Sequence, residues 1–276
     1  MTRLGVAVIG AGRAGLARIR ALEASPRARL AALVSRGRSD AVSLAEALAD
    51  PAVAAVIVCT PNLLHAATAR AALESGKHVA VEFPLAATAA EARALFSDAR
   101  ARGRVLHEEH IELLSPSQSA LRALVRELGR PRSGRVRFSA DASGWIADPA
   151  LAGSAALGAL ARLHRLVDLF GSAEVRGARL EVAGAQRRLE VELGFAGGGA
   201  VTLVEERGPG LARATEWAVE CERGRLATPP NEPPGALFAR DLEIFLDRIE
   251  RGAESYVSDA RVLELLELVG AIERRL

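Results

Sequence analysis

The chain has 276 residues, half of them hydrophobic, which suffices for one large or two ordinary domains with true cores. Its 36 Lys and Arg stand against 34 Asp and Glu, and the net charge of +2 is too small to point to nucleic acid or an anionic membrane as a partner. No apolar run approaches the ~18 residues of a membrane span, and Cys59 and Cys221 match no metal or redox spacing, so they read as reduced residues of a cytoplasmic protein.

Apolar runs near 4–9, 29–35, 53–59, 77–81 and 104–107 alternate with helical patterns near 13–24, 42–49, 62–75 and 88–102. This βαβ rhythm is that of a parallel sheet covered by helices on both faces. Asn62 and Thr88 are cap candidates, and Gly76 and Gly103 are stops. The N-terminal run Leu4–Ile9 is a strand rather than the apolar region of a signal peptide. A helix near 116–128, a strand around Arg135 to Ala140 and a helix near 154–170 follow. Four strand-like runs near 173–183, 187–196, 199–205 and 214–223 have no helices between them, which indicates an antiparallel sheet. Thr228–Gly235 reads as a loop, and helices near 237–251 and 258–275 close the chain. The predicted fold is α/β: an N-terminal Rossmann dinucleotide-binding domain over 1–114 and a C-terminal α+β domain with a largely antiparallel sheet over 115–276.

Gly10-Ala11-Gly12-Arg13-Ala14-Gly15 follows the first strand and opens the first helix. There Gly10 allows the tight turn, Gly12 lets a pyrophosphate approach the backbone, and Gly15 lets helix and strand pack closely. At the end of the second strand, where an acid would hold an unphosphorylated ribose, stand Ser35, Arg36 and Arg38. A hydroxyl and two guanidiniums suit a phosphate monoester, so NADPH is favoured over NADH. Thr60-Pro61 after the third strand and Glu82-Phe83 after the fourth complete the cofactor set, because ligands lie outside the carboxyl ends of parallel strands.

These motifs and the two-domain layout resemble the glucose-fructose oxidoreductase and inositol dehydrogenase superfamily. Many of its sugar dehydrogenases carry Glu-Lys-Pro where Glu82-Phe83-Pro84 stands, and Arg162 occupies the position expected of an acid. Oxidation of a sugar hydroxyl needs a base, and the usual one is missing. A closer resemblance is to the biliverdin reductases of vertebrates and cyanobacteria. It rests on the run from Gly103 to Leu114, on Arg162-Leu163 with Leu166-Val167 and Leu169-Phe170-Gly171, on Glu205 to Leu211, and on Asp241 with Ile244-Phe245. Phe83 departs from the Tyr of the vertebrate proteins and has no hydroxyl to donate.

The resemblance implies hydride transfer from NADPH to the central methine carbon of biliverdin, a linear tetrapyrrole, with a proton passing to a pyrrole nitrogen, in a monomer. Glu109 and Glu112, three apart on a helical turn and facing one side, are the candidate proton sources. Arg162 is the strongest candidate in the second domain, since a guanidinium pairs with a propionate and stacks on a conjugated face. Phe83, His110 and Arg165 join it as substrate contacts. Each group also has a structural reading: the histidines as hydrogen-bonders, the glutamates as a helix start, and Arg162 as the partner of Asp168 or of a strand glutamate. The histidine spacing from His107 to His110 does not fit a zinc helix, so no metal is expected. Two alternatives remain: a dehydrogenase of sugars or small carbonyl compounds, and an NADP-binding sensor without turnover. Glu205, Glu206 and the turn after them carry no chemistry in this reading.

Overall fold

The computed structural model describes residues 3–229 and 235–276. In chain order it contains β1 (Leu4–Ile9), α1 (Arg13–Ala24), β2 (Ala28–Val34), α2 (Leu44–Ala49), β3 (Ala55–Val58), α3 (His65–Glu74), β4 (His78–Val81), α4 (Ala89–Ala101) and β5 (Leu106–Glu108). Then come α5 (Pro116–Leu128), β6 (Pro131–Asp141), α6 (Pro149–Ala152), α7 (Ala155–Gly158), α8 (Leu160–Phe170), β7 (Ala173–Ala183), β8 (Gln186–Phe195), β9 (Ala200–Gly208), β10 (Ala214–Cys221), β11 (Gly224–Ala227), α9 (Gly235–Arg251) and α10 (Asp259–Glu273). Short 3-10 turns cover Asn62–Leu64, Ile111–Leu114 and Gly144–Ala147.

Two compact units emerge, one drawing its described residues from Met1–Ile111 and Pro233–Leu263, the other from Glu112–Glu232 and Glu264–Leu276. A second domain running unbroken from 115 to 276 is therefore corrected: the chain returns to the first unit with α9. The reason is apolar. Leu242, Phe245 and Leu246 of α9 are buried with Val6 and Val8 of β1 and Leu22 of α1 in one cluster. Such burial stabilises by roughly 1.5–3 kcal/mol per large side chain.

In the first unit five parallel strands run in the order β2-β1-β3-β4-β5. Every residue of β3 is buried, as in a sheet covered on both faces. Thr88 caps α4 by accepting from the Glu91 N–H, as its sequence position predicts. Asn62, expected as a cap, instead opens a 3-10 turn ahead of α3.

The second unit holds six strands in the order β11-β10-β6-β9-β8-β7, with β6 and β9 parallel and the other pairs antiparallel. One face is buried: Trp217, Val136, Leu203 and Val191 lie in one row across the sheet, and Phe138, Glu205 and Leu189 in another. The other face carries Arg137, Glu206 and Arg188, joined by ion pairs. The helix expected over 154–170 is broken into α7 and α8 after Gly158, a poor helix former. The strand expected over 214–223 turns at Glu222-Arg223 into a hairpin. Residues 230–234 of the expected Thr228–Gly235 loop lie outside the described residues, and Gly235 begins α9.

Candidate active site

At the end of β1 the backbone turns through Gly10, whose φ of +104° suits glycine. A Cβ on Gly15 would stand 1.9 Å from the Gly10 carbonyl oxygen, so α1 packs on the turn only because that position is bare. A Cβ on Gly12 would meet nothing within 4 Å. The α1 N-terminus has no side-chain cap and no acid in its first turn, which carries Arg13 and Ala14. An open cradle over uncapped helical N–H groups fits a pyrophosphate.

After β2, Arg36 and Arg38 are exposed, and Ser35 donates to the Arg36 carbonyl. Arg38 is not idle: its Nε and Nη2 donate to the two carboxylate oxygens of Asp40 at 2.9 and 2.7 Å. Arg36 has no side-chain partner among the described residues, so it is the readier of the two for a phosphate.

The loops after β3 and β4 are clamped together by His65, the first residue of α3. Its Nδ1 lies 2.7 Å from the Pro84 carbonyl oxygen and its Nε2 2.7 Å from that of Thr60. Burial pushes the imidazole pKa down by more than the two carbonyls raise it. Thr60, Pro61, Glu82 and Phe83 are thus held at neighbouring strand ends, with the Phe83-Pro84 bond cis. The buried Thr60 Oγ1 has no hydrogen-bond partner in the protein, which suits a polar ligand group there.

Glu82 leads inward to a buried charge network. Arg18, on the core stripe of α1 with Gly15, Ala21 and Leu22, donates from Nε to Glu82 Oε1 at 2.7 Å and from Nη1 to Asp241 Oδ2 at 2.6 Å. Its guanidinium also lies over the Phe238 ring. Asp241 Oδ1 faces His107 Nε2 at 2.9 Å and accepts from the Tyr256 hydroxyl at 2.7 Å. Arg248 Nη1 donates toward His107 Nδ1 at 3.3 Å, which leaves Nε2 as the nitrogen that donates to Asp241. The Tyr256 oxygen in turn accepts from the His110 N–H at 2.7 Å. Beside the network lies Glu109, fully buried. One of its oxygens accepts from the Ile111 N–H at 2.6 Å, and the other has no partner. Burial, then the charges of Glu82 and Asp241, push its pKa well up against the pull of Arg18.

The cluster from Gly103 to Leu114 is therefore not one face of a helix. Glu108 ends β5, with Oε1 accepting from the Leu85 N–H at 2.6 Å and Oε2 2.9 Å from His110 Nε2. The His110 ring stacks on Phe83 at 5.8 Å and 8°. Glu109 follows outside any helix or strand, and only Ile111–Leu114 turn as 3-10 helix. The expectation that Glu109 and Glu112 share one helical turn is corrected, since Glu109 precedes the 3-10 turn that carries Glu112. Glu109 belongs to the first unit and Glu112 to the second, in opposite electrostatic settings.

In the second unit Arg162 of α8 donates from Nε and Nη2 to Glu205 Oε2 and Oε1, at 2.9 and 3.0 Å, and from Nη2 to the Gly158 carbonyl. Its guanidinium lies 4.3 Å over the Phe138 ring, and those of Arg207 and Arg213 lie 4.9 and 5.1 Å from the same ring. Arg207 Nε also donates to Glu205 at 2.8 Å, and Arg213 Nη2 to Glu112 at 2.8 Å. Arg165 stacks on Trp217 and donates to Gln118, which with Arg122 holds Asp168. Burial raises the Glu112 pKa, but Arg162, Arg165 and Arg213 together pull it below its usual value. With Asp168 matched to Arg122, four guanidiniums (Arg162, Arg165, Arg207 and Arg213) remain against two carboxylates, Glu112 and Glu205.

The sequence alone gives no site role to Arg18, Tyr256, His65 or Arg213, nor to Asp241, Glu205 and Arg207, which carry the family resemblance. Arg18 was detectable, because a charge on the apolar stripe of an amphipathic helix must find a buried partner. Glu205 likewise stands at an inward strand position, where it is paired with Arg162 inside β9 rather than at a strand end. No cluster of three or more metal-ligating side chains occurs among the described residues, and no described helix is long and apolar enough to cross a membrane.

Comparison with known proteins completes the picture. Residues 4–110 match the oxidoreductase family with an NAD-binding Rossmann fold, and residues 131–233 match the biliverdin reductase catalytic domain. The chain is 34% identical to mouse biliverdin reductase A, across 99% of this chain and 96% of that protein. It is 33% identical to human biliverdin reductase A, over 90% and 86% respectively. The fold is shared with the Synechocystis biliverdin reductase solved with biliverdin and NADP+, at a TM-score of 0.85, 24% identity and 99% coverage of both chains. Identity sustained over both domains leaves one assignment: the chain belongs to the biliverdin reductase family of NAD(P)H-dependent oxidoreductases.

Proposed function

We propose that this protein reduces biliverdin to bilirubin with NADPH. The observation that carries the reading is the surplus of guanidiniums around Phe138 and Trp217 in the domain that matches the catalytic model. A planar conjugated dianion suits such a cluster, which buries Arg162 and Arg165 against these rings and exposes Arg213, since guanidinium both stacks and pairs with carboxylate. Arg162, fixed by both oxygens of Glu205, supplies oriented charge, and Arg165 and Arg213 extend it.

When bound, NADPH supplies the hydride. In the balanced reduction the central methine carbon would gain that hydride and one pyrrole nitrogen a proton, with NADP+ as the oxidised product. Gly10, Gly12, Arg13, Ala14 and Gly15 cradle the pyrophosphate, Ser35, Arg36 and Arg38 meet the 2′-phosphate, and Thr60, Pro61, Glu82 and Phe83 line the nicotinamide end. Phe83, with the His110 ring stacked on it, would give the nicotinamide end an aromatic wall. Glu109 is the proton source: its carboxyl is kept neutral by burial, gives up its proton through a water relay, and regains it from solvent. Glu112, ionised among arginines, cannot donate at neutral pH, and its part is to orient Arg213.

The test is spectroscopic. Purified protein mixed with NADPH and biliverdin should convert the biliverdin spectrum to that of bilirubin, and Arg162→Ala should lose turnover while binding NADPH unchanged. Tight NADPH binding without any spectral change would favour a sensor, and turnover of sugars alone would favour a dehydrogenase.

A further inference from the structure

The first unit buries one guanidinium, Arg18, among three carboxyl groups: Glu82 after β4, Asp241 of α9 and Glu109 after β5. Two of them hold it. Glu82 takes Nε at 2.7 Å and Asp241 takes Nη1 at 2.6 Å, while Glu109 has a bare oxygen and Arg18 Nη2 has no partner. Asp241 is itself fixed from two other directions, by His107 and by Tyr256.

We propose that Asp241 is a positioning residue for the reduction, which claims Arg18 together with Glu82 and so withholds that guanidinium from Glu109. The inference rests on the reading of Glu109 as the proton source. Charge decides the outcome. One guanidinium already stands against two carboxylates, so ionising Glu109 would leave an excess of two negative charges around buried side chains. At close range in low dielectric such an excess is far costlier than in solvent. The remaining groups facing Glu109 do not offset it: Cys59 and the Tyr256 hydroxyl are neutral, with pKa values raised by burial, and the backbone contributes only the Ile111 N–H. A carboxyl held neutral above its ordinary range is an acid poised for use near neutral pH. Asp241 thus acts on the reaction through Arg18 and from an element that carries no cofactor residue.

Two substitutions displace this balance in opposite directions. Asp241→Asn removes a negative charge and frees Arg18 for Glu109, so the pH above which turnover declines should fall by about one unit or more. Arg18→Gln removes the cation shared by Glu82 and Asp241, and the same decline should move up by about one unit or more. A purely structural role would lower turnover at every pH in both variants without opposite displacement. In cofactor-free protein at neutral pH, the infrared stretch of a protonated carboxyl, identified by its loss in Glu109→Gln, should be present in the wild type, lost in Asp241→Asn and retained in Arg18→Gln. Unmoved profiles, or displacement in the same direction, with the infrared band unchanged in Asp241→Asn, overturn the role of Asp241. Should Asp241→Asn fail to fold, Arg18→Gln decides: an alkaline limb that stays in place or moves down overturns the proposal. If Glu109→Gln keeps full turnover and the wild-type profile, Glu109 is not the proton source, and the infrared band alone then reports whether Asp241 governs its protonation.

Discussion

Asp241 and Arg18, 223 residues apart in the chain, meet at 2.6 Å with almost no exposure of either side chain. Removing one partner of a buried pair strands the other, at a cost of about 3–5 kcal/mol. Asp241→Ala should therefore lower the free energy of unfolding in urea by about that amount, and Arg18→Met with Asp241→Leu should recover most of it. Burial works to raise the Asp241 pKa, but Arg18 and His107 outweigh it and hold the carboxyl well below its usual range. A depressed carboxylate stabilises fully above its unfolded value near ~3.9 and loses that contribution only as pH falls further. The stability gap between wild type and Asp241→Ala should accordingly persist down to about pH 4 and shrink below it. A gap that narrows instead between pH 6 and 8, roughly the range of a histidine, would contradict this assignment.

Gly12 and Gly15 predict opposite failures. Gly12→Ala should leave stability within about 0.5 kcal/mol of wild type, because a Cβ there meets no protein atom, yet weaken NADPH binding by more than about tenfold. Gly15→Val should unfold the first unit, since the added carbon runs into the Gly10 carbonyl. Thermal melts alongside fluorescence titration with NADPH distinguish the two.

Cofactor choice should depend more on Arg36 than on Arg38. Arg36→Ala is expected to cut the preference for NADPH over NADH by about tenfold, roughly one charge-assisted contact. Arg38→Ala should cost less, because Asp40 already occupies both of its donors. Asp40→Asn should release Arg38 and increase the preference, and kcat/KM for the two cofactors measures each case.

Phe83→Tyr restores the hydroxyl of the vertebrate motif. With Glu109 as proton source, the added hydroxyl should change kcat by less than about fivefold and leave the pH at which turnover declines in place. A large gain in kcat with a new pH dependence would assign proton delivery to this position instead.

Much of the first unit could be read directly from the residues. Its strands are continuous apolar runs and its turn glycines have one use each, so local pattern and tertiary role coincide. The dispersed network could not be read that way. Arg18, Asp241 and Tyr256 come from three helices or loops whose approach is fixed by packing, and nothing near each residue names its partner. Glu109 and Glu112 illustrate the converse error: a spacing of three suggests a shared face only within a helix, and β5 runs on to Glu108. Arg162 was legible as a site candidate and as the partner of Asp168 or of a strand glutamate; the glutamate is Glu205, while Asp168 goes to Arg122, a choice that only the packing of α8 on the sheet makes.

The return of α9 to the first unit has a consequence for synthesis. A nascent chain that has emerged only as far as residue 114 holds all five strands of its parallel sheet, yet Arg18 has no Asp241 to meet and the cluster around Val6 and Val8 lacks Phe245. The nucleotide-binding half thus becomes complete only after residues 112–232 of the other half have left the ribosome, and order of translation is not order of assembly.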